Sequence, residues 1–135
     1  MAGILVPFDG SKHSLKALHV ACDLAEKYGT KLFLLYVIQH DGSFSPSDLH
    51  SQVHKDAQNI LLKAAQKAKQ RGVGYEIIEF EYGDPAKGIL TAHDRLKPST
   101  IVMGCRGLNA TEAEIFGTAS RTVFEHATCT CISVK

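Results

Sequence analysis

The sequence predicts one α/β domain built on a parallel, doubly wound sheet. Short apolar runs alternate along the 135 residues with segments whose apolar side chains recur every three or four positions. Several of these runs are continuously apolar, which is typical of strands covered by helices on both faces. Strands that alternate with helices form parallel sheets with right-handed crossovers. Because the sequence contains no linker or internal repeat, we expect a single domain over residues 1–135.

Five runs are the predicted strands. The first two are apolar enough to be buried on both faces of the sheet. The third mixes glutamates with aromatic and isoleucine residues, and this polarity indicates a strand at the sheet edge or partly exposed. In chain order, the five are Gly3–Phe8, Lys31–Ile38, Tyr75–Tyr82, Thr100–Met103 and Thr130–Val134.

Four amphipathic segments are the predicted helices, and their ends carry recognisable signals. Gly29 stands where the C′ residue of the first helix belongs, and Ser11 is the most economical N-cap for that helix. Asp84 followed by Pro85 starts the third helix, because proline suits the first helical position, and Pro98 closes it. The helices begin near Ser14, Leu49, Pro85 and Gly117 and extend to about Gly29, Ala68, Leu96 and Ala127.

Composition excludes several classes of protein. The chain has 15 Lys and Arg against 14 Asp and Glu, so its net charge is +1 and a strongly basic, nucleic-acid-binding surface is not expected. Hydrophobic residues make up 44%, which argues against intrinsic disorder. No apolar run reaches the length of about 18 residues that a membrane helix needs, and the first residues lack the basic start of a signal peptide. We therefore expect a cytoplasmic protein that does not insert into membranes.

The four cysteines show no C-x-x-C spacing, so neither a zinc knuckle nor a dithiol redox motif is predicted. Cys129 and Cys131 share one face of a predicted strand, a spacing that does not easily let them ligate one metal alone. We expect the cysteines to be mostly small core residues of a reduced protein. For Cys105, a redox-sensitive thiol beside a helix start is the alternative.

The candidate ligand site follows from the topology. Open parallel sheets bind ligands at the carboxyl ends of their strands, where the strand order reverses. The residues at those ends are Pro7 to Ser11, Val37 to His40 and Met103 to Gly107.

A glycine pattern extends from the fourth strand into the last helix. Two residues separate Gly104 from Gly107, and nine separate Gly107 from Gly117 and Thr118. Glycine lets backbone N–H groups approach an anion, and the unpaired N–H groups of a helix start favour phosphate. The pattern predicts a phosphate cradle made of backbone, with simple turns as the alternative. It is neither a Walker A loop nor a dinucleotide fingerprint.

Five stretches of the chain also recur, in the same order, in one known family. They are Ile4-Leu-Val-Pro-Phe-Asp-Gly-Ser11, Leu34-Leu-Tyr-Val37, Gly83-Asp-Pro85, Ile101-Val-Met-Gly104 and Gly104-x-x-Gly107-(nine)-Gly117-Thr118. The chain therefore resembles the universal stress protein family, whose ATP-binding pattern the last stretch matches. The resemblance implies a five-stranded parallel sheet of order 3-2-1-4-5 with helices on both faces. It also implies a homodimer formed through the last strand, and ATP, or ADP or AMP, bound with Mg²⁺ on the phosphates.

The resemblance assigns roles to residues of the crevice. Those after the first two strands would flank the adenine and ribose, those after the fourth strand would line the middle, and those that start the last helix would hold the phosphates. Arg106 either contacts phosphate or is a solvated loop residue. The nucleotide-binding candidates are Pro7, Phe8, Asp9, Val37, Met103, Gly104, Arg106, Gly107, Gly117, Thr118, Ala119 and Ser120.

Two features of the glycine pattern depart from the family. Glu112 and Glu114 stand where members often carry a basic residue, and they oppose a triphosphate unless a cation bridges them. Thr118-Ala119 replaces a frequent Ser-Val pair but keeps a hydroxyl group. The acidic residues keep open a second interpretation, a partner-binding stress protein that does not need nucleotide.

Residues arranged for covalent or acid–base catalysis are not evident in the sequence. We therefore expect a nucleotide-binding sensor or regulator that acts through a dimer or a partner protein, with slow ATPase or phosphatase activity as an alternative. His50 and His54 share one helix face but lack a third zinc ligand in the sequence, so surface or packing roles are expected. His13 is either a helix-surface residue or a neighbour of the pocket mouth.

Overall fold

The computed structural model describes residues 2–39, 47–82, 84–105 and 117–135. In those ranges, strands and helices alternate as predicted. The strands are β1 (Ile4–Pro7), β2 (Leu32–Gln39), β3 (Tyr75–Tyr82), β4 (Thr100–Gly104) and β5 (Thr130–Val134). The helices are α1 (Lys12–Tyr28), α2 (Ser47–Gln70), α3 (Pro85–Leu96) and α4 (Thr118–His126). Among the described helices, none is both long enough and apolar enough to cross a bilayer.

The five strands form one sheet of order β3-β2-β1-β4-β5, and every neighbouring pair is parallel. This confirms the predicted fold class and the strand order implied by the family resemblance. The glutamate-containing strand β3 lies at one edge, as its polarity indicated, and β5 lies at the other. Strand β1 pairs with β2 on one side and with β4 on the other, so the strand order reverses beside β1.

Side chains from the two faces of the sheet form two separate cores. On one face, Val6, Leu34 and Val102 pack with apolar residues of α1 and α2. On the other, Leu5 and Ile101 pack with apolar residues of α3 and α4. The odd and even positions of β1, β2 and β4 therefore both bury apolar groups, which accounts for the continuous apolar runs in these parts of the sequence.

The predicted helix signals are used as expected at three ends. Ser11 caps α1, its hydroxyl oxygen accepting from the N–H of Ser14 at 3.2 Å, and Gly29 ends that helix in the left-handed region at φ 65°. Asp84 caps α3 by accepting from the N–H of Ala86 at 3.1 Å. Helix α3 ends at Leu96 as predicted, but Lys97, with φ 49°, turns the chain there, one residue ahead of Pro98.

Arg71, just beyond α2, joins the two helices on its side of the sheet. Its guanidinium donates to both carboxylate oxygens of Glu26 at 3.0 and 2.9 Å, to the carboxylate of Asp23 and to the carbonyl of His19 at 3.3 Å. The hydrogen bonds to Glu26 and Asp23 raise the pKa of Arg71 above its ordinary value. The contact ties the end of α2 to the exposed side of α1.

Gly29 and Lys97 both end a helix in the left-handed region. Removing glycine at the first position and introducing it at the second should therefore change the stability in opposite directions. Gly29→Ala should lower the free energy of unfolding by about 1 kcal/mol, since an added Cβ would meet no described atom within 4 Å apart from its chain neighbours and only backbone strain acts. Lys97→Gly should raise it by up to about 1 kcal/mol, because glycine adopts positive φ without that strain. Urea denaturation measures both, and equal signs for the two variants would contradict the explanation.

Candidate functional site

A crevice opens at the carboxyl ends of the strands, beside the end of β1. Strand β1 ends at Pro7, which lies opposite Leu35, whereas β2 continues for four more residues, to Gln39. Val37 therefore lies beyond the last residue of β1, half-buried on the face that packs against α3 and α4. Met103 of β4 packs on the same face. The strand order reverses at this place, so the topology supports the predicted position of the site.

The turn between β1 and α1 is held by a hydrogen bond to β2, by a buried ring and by a hydrogen bond within the turn. The N–H of Phe8 donates to the carbonyl of Leu35 at 2.8 Å, and its ring is buried in the core beneath α1 and α2. Asp9 accepts from the N–H of Ser11 at 2.8 Å, and Gly10 takes a positive φ of 84°. One carboxylate oxygen of Asp9 thus shapes the turn, and this partly exposed side chain lies at the end of β1.

Gly104, the last residue of β4, is where three elements meet. A Cβ added there would lie 2.7 Å from Cβ and 2.8 Å from the carbonyl carbon of His13 in the first turn of α1. The carbonyl of Gly104 accepts from the buried hydroxyl of Ser120, in α4, at 2.8 Å. Gly104 is therefore required for packing, and the half-buried His13 contributes mainly its backbone at this point.

The amino end of α4 lies against the end of β4. Gly117 is its N-cap, and its N–H donates to the carbonyl of Cys105 at 2.6 Å. Gly117 itself has no side chain to cap the helix, and the first turn contains no acidic residue. The N–H groups of Thr118, Ala119 and Ser120 have no partner within the helix. The positive end of the helix dipole favours an anion at this place.

Tyr36 is a neighbour of the site that the sequence analysis did not single out. Burial raises the pKa of its phenol, and the negative charges of Asp9 and Asp56 raise it further. The phenol is therefore neutral and close enough to Asp9 to sense its charge. The strand alternation could have placed Tyr36 on the α1–α2 face, but its proximity to Asp9 depends on the β1–α1 turn.

Other candidates have packing roles where the structure describes them. His54 of α2 contacts Glu79 of β3 at 2.5 Å, as expected for a packing or surface residue. Cys105 is 1% exposed, which favours the small core residue over the redox-sensitive thiol. Within the described ranges, no group of three His, Cys, Asp or Glu side chains is arranged to hold a metal ion. Outside what the structure describes lie Arg106, Gly107, Glu112 and Glu114, and the side chain of His50.

A shallow depression of about 440 Å³ lies at the opposite, amino-terminal edge of the sheet. Backbone of Gly3, Gly29 and Gly74 lines much of it, together with Lys31 and Phe33. The ammonium of Lys31 is already paired with Glu76 at 2.5 Å and stands 5.2 Å from the centre of the Phe33 ring. Because its cation is engaged and parallel sheets bind ligands at the other edge, this depression is not the candidate site.

Gly104→Ala should destabilise the protein by about 1–3 kcal/mol, since the added methyl group meets the backbone of α1. Gly74→Ala is the matched control, because its added Cβ meets only Lys31 Cβ at 3.8 Å. Denaturant unfolding of the two variants should separate them clearly. Equal stabilities would show that α1 does not press on the end of β4.

Comparison with known proteins agrees with this architecture. The model of the universal stress protein family matches residues 2–135. A solved universal stress protein from Archaeoglobus fulgidus in complex with dAMP superposes with a TM-score of 0.80 at 22% identity, covering 100% of this chain and 98% of that one. A family protein from Arabidopsis thaliana with AMP bound gives 0.77 at 23% identity, with coverage of 100% and 92%. At these identities the two structures establish the fold alone.

A curated relative provides the closer sequence comparison. The universal stress protein YxiE of Bacillus subtilis is 30% identical, and the match covers 98% of this chain and 97% of the relative. Together with the family model, which spans all but the first residue, this match shows that the chain belongs to the universal stress protein family.

Proposed function

We propose that this chain binds an adenine nucleotide in the crevice beside β1 and acts as a cytoplasmic sensor or regulator. The observation that carries the proposal is the amino end of α4, which begins at a glycine N-cap, has no side-chain cap among the described residues and lies against the end of β4. A phosphate accepted there would satisfy N–H groups that the fold leaves without helical partners. The dAMP and AMP named for the two related structures add support from outside the chain.

The described residues fit a nucleotide in three parts. Phosphate would be held by the backbone N–H groups of the first turn of α4 and by the hydroxyl of the exposed Thr118. Ser120 would contribute its backbone, because its hydroxyl already donates to Gly104. Asp9 is placed to accept from ribose hydroxyl groups. Pro7, Val37 and Met103 supply the apolar wall that a base requires.

We propose ATP with Mg²⁺ as the ligand, with ADP and AMP as the alternatives. Thr118 to Ser120 provide hydrogen-bond donors for phosphate but no fixed positive charge. A monophosphate carries the least negative charge of the three nucleotides, so these donors alone stabilise it best. A triphosphate carries more charge, which Mg²⁺ would neutralise in part. Arg106 and Gly107 are the further contacts we propose for the longer phosphate chain.

The regulatory role is proposed to pass through a homodimer or a protein partner. Strand β5 is an edge of the sheet and leaves one side of its backbone unpaired by the strands described. Such an edge is a template for pairing with a second strand. We propose that two copies of the chain meet along β5.

Thr118→Asp tests the phosphate site without a predicted loss of stability. A carboxylate in the first turn of α4 favours the helix dipole by about 0.3–1 kcal/mol, yet it should repel phosphate. We expect the affinity for AMP, and for ATP with Mg²⁺, to fall by about tenfold or more, while adenosine binds as before. Isothermal calorimetry measures all three ligands.

Thr122→Asp is the matched control, since it adds the same charge one turn further along α4. It should leave nucleotide affinity unchanged. If the wild-type protein binds no adenine nucleotide at millimolar concentration, the proposed function is wrong. If Thr118→Asp keeps its full affinity for AMP, the phosphate does not bind at α4.

The dimer is tested by sedimentation velocity at micromolar concentration. We expect a species of twice the 14.7 kDa chain mass, with and without nucleotide. A monomer under both conditions would contradict pairing along β5 and would leave a separate partner protein as the route of regulation.

A further inference from the structure

Helices α1 and α2, which cover one face of the sheet, present a group of lysines to solvent. Lys12 and Lys16 lie in the first two turns of α1, and Lys63 and Lys67 lie about one turn apart in α2. All four side chains are exposed. They form a positively charged surface, which we call the lysine face.

The two pairs of lysines are neighbours in space because α2 runs alongside α1. Near the start of α1, a Cβ added to Gly10 would lie 3.8 Å from Cγ2 of Ile60 in α2. Further along, Arg71 hydrogen-bonds to the carboxylate of Glu26 and to the carbonyl of His19. The part of α2 between these two contacts carries its two lysines. It therefore stands beside the first half of α1, where the other two lysines lie.

The acidic groups near the lysine face are engaged elsewhere. The carboxylates of Asp23 and Glu26 are both held by Arg71, and that of Asp56 accepts from the side-chain amide of Gln52 at 2.9 Å. Within the ranges that the structure describes, none of the four lysines takes part in an ion pair. Their positive charges are therefore directed at solvent.

The helices on the other face of the sheet do not share this one-sided charge. The exposed charged side chains of α3 and α4 are of both signs, namely Lys87, Asp94, Arg95, Arg121 and Glu125. The net charge of +1 thus conceals a positive surface on one side of the molecule. Such a surface attracts an extended partner that carries many negative charges.

The composition of the lysine face favours lipid over nucleic acid as this partner. Leu15 of α1 and Leu62 of α2 are exposed by 36% and 52% on the same two helices. Leucines among lysines suit the boundary between lipid headgroups and acyl chains, because lysine stems lie along apolar surface while their ammonium groups stay in water. Surfaces that bind single strands of nucleic acid add aromatic side chains that stack on bases. In the sequences of α1 and α2 the one Phe, Tyr or Trp is Tyr28, at the far end of α1.

We propose that the lysine face docks on an anionic lipid surface. The four ammonium groups meet the negative headgroups, and Leu62 contributes apolar contact at the edge of the acyl region. The contact is reversible and weakens as salt concentration rises, because it rests mainly on the attraction of lysines to a charged surface.

Cosedimentation of the whole chain with lipid vesicles tests the proposal. Vesicles of phosphatidylcholine with about one-third phosphatidylserine should bind the protein at about 0.05 M salt and release most of it at about 0.5 M. Vesicles of phosphatidylcholine alone should not bind it. The double variant Lys16→Glu/Lys63→Glu should bind the anionic vesicles about tenfold more weakly, or worse. Leu62→Gln should weaken binding by about threefold.

Lys87→Glu/Arg121→Glu is the matched control, since it changes the net charge by the same amount on α3 and α4. Its affinity for the anionic vesicles should stay within about twofold of the wild-type value, because these positions lie on the other side of the sheet. Circular dichroism checks that each variant is folded.

Three results would overturn the proposal: no binding of the wild-type protein to anionic vesicles, equal binding to vesicles of phosphatidylcholine alone, or equal losses in the two double variants. Tighter binding to a DNA duplex of random sequence than to the anionic vesicles, at one salt concentration, would also overturn it and would assign the lysine face to nucleic acid. None of these measurements involves nucleotide, so the result is independent of the proposed function.

Discussion

The close approach of α1 to the end of β4 is the contact on which the crevice depends. His13 in the first turn of α1 reaches Gly104 so closely that even a methyl group would displace its backbone. The same glycine accepts a hydrogen bond from Ser120 through its carbonyl, which fixes the amino end of α4 above β4. One residue without a side chain thus brings two helix starts to the place where the strand order reverses. Gly104 serves packing first, and the proposed ligand site is a consequence of that packing.

The amino ends of α1 and α4, which both lie at this edge of the sheet, are capped differently. Ser11 caps α1 by accepting from the N–H of Ser14, and its own N–H donates to Asp9, so two N–H groups are satisfied within the turn. Gly117 provides α4 with no side-chain cap. A glycine N-cap costs roughly a few tenths of a kcal/mol relative to a capping side chain. A bound phosphate would offset that cost, so the same feature that weakens α4 favours an anion at its amino end.

The sequence was sufficient for the fold because its signals are local. Apolar runs, Gly29 and the Asp84-Pro85 pair each report on their own segment, and family resemblance supplied the strand order. The contacts that shape the site are not local. The pairing of Gly104 with His13, and the proximity of Tyr36 to Asp9, depend on how distant segments pack. The left-handed Lys97 was missed because lysine carries no signal for positive φ.

A short chain of backbone hydrogen bonds connects the proposed phosphate site with the proposed dimer edge. The N–H of Gly117 donates to the carbonyl of Cys105, and the N–H of Cys105 donates to the carbonyl of Val134 in β5. A ligand that binds only the folded state stabilises that state, including the segment that holds its donors. The stabilising free energy grows with the logarithm of the ligand concentration divided by Kd. Ordering the start of α4 would therefore favour the conformation of Cys105 that pairs with β5. Because β5 is an edge strand, its alignment decides whether a second strand can pair with it. The proposed phosphate site and the proposed dimer edge are thus joined by the backbone hydrogen bonds of three residues, Gly117, Cys105 and Val134.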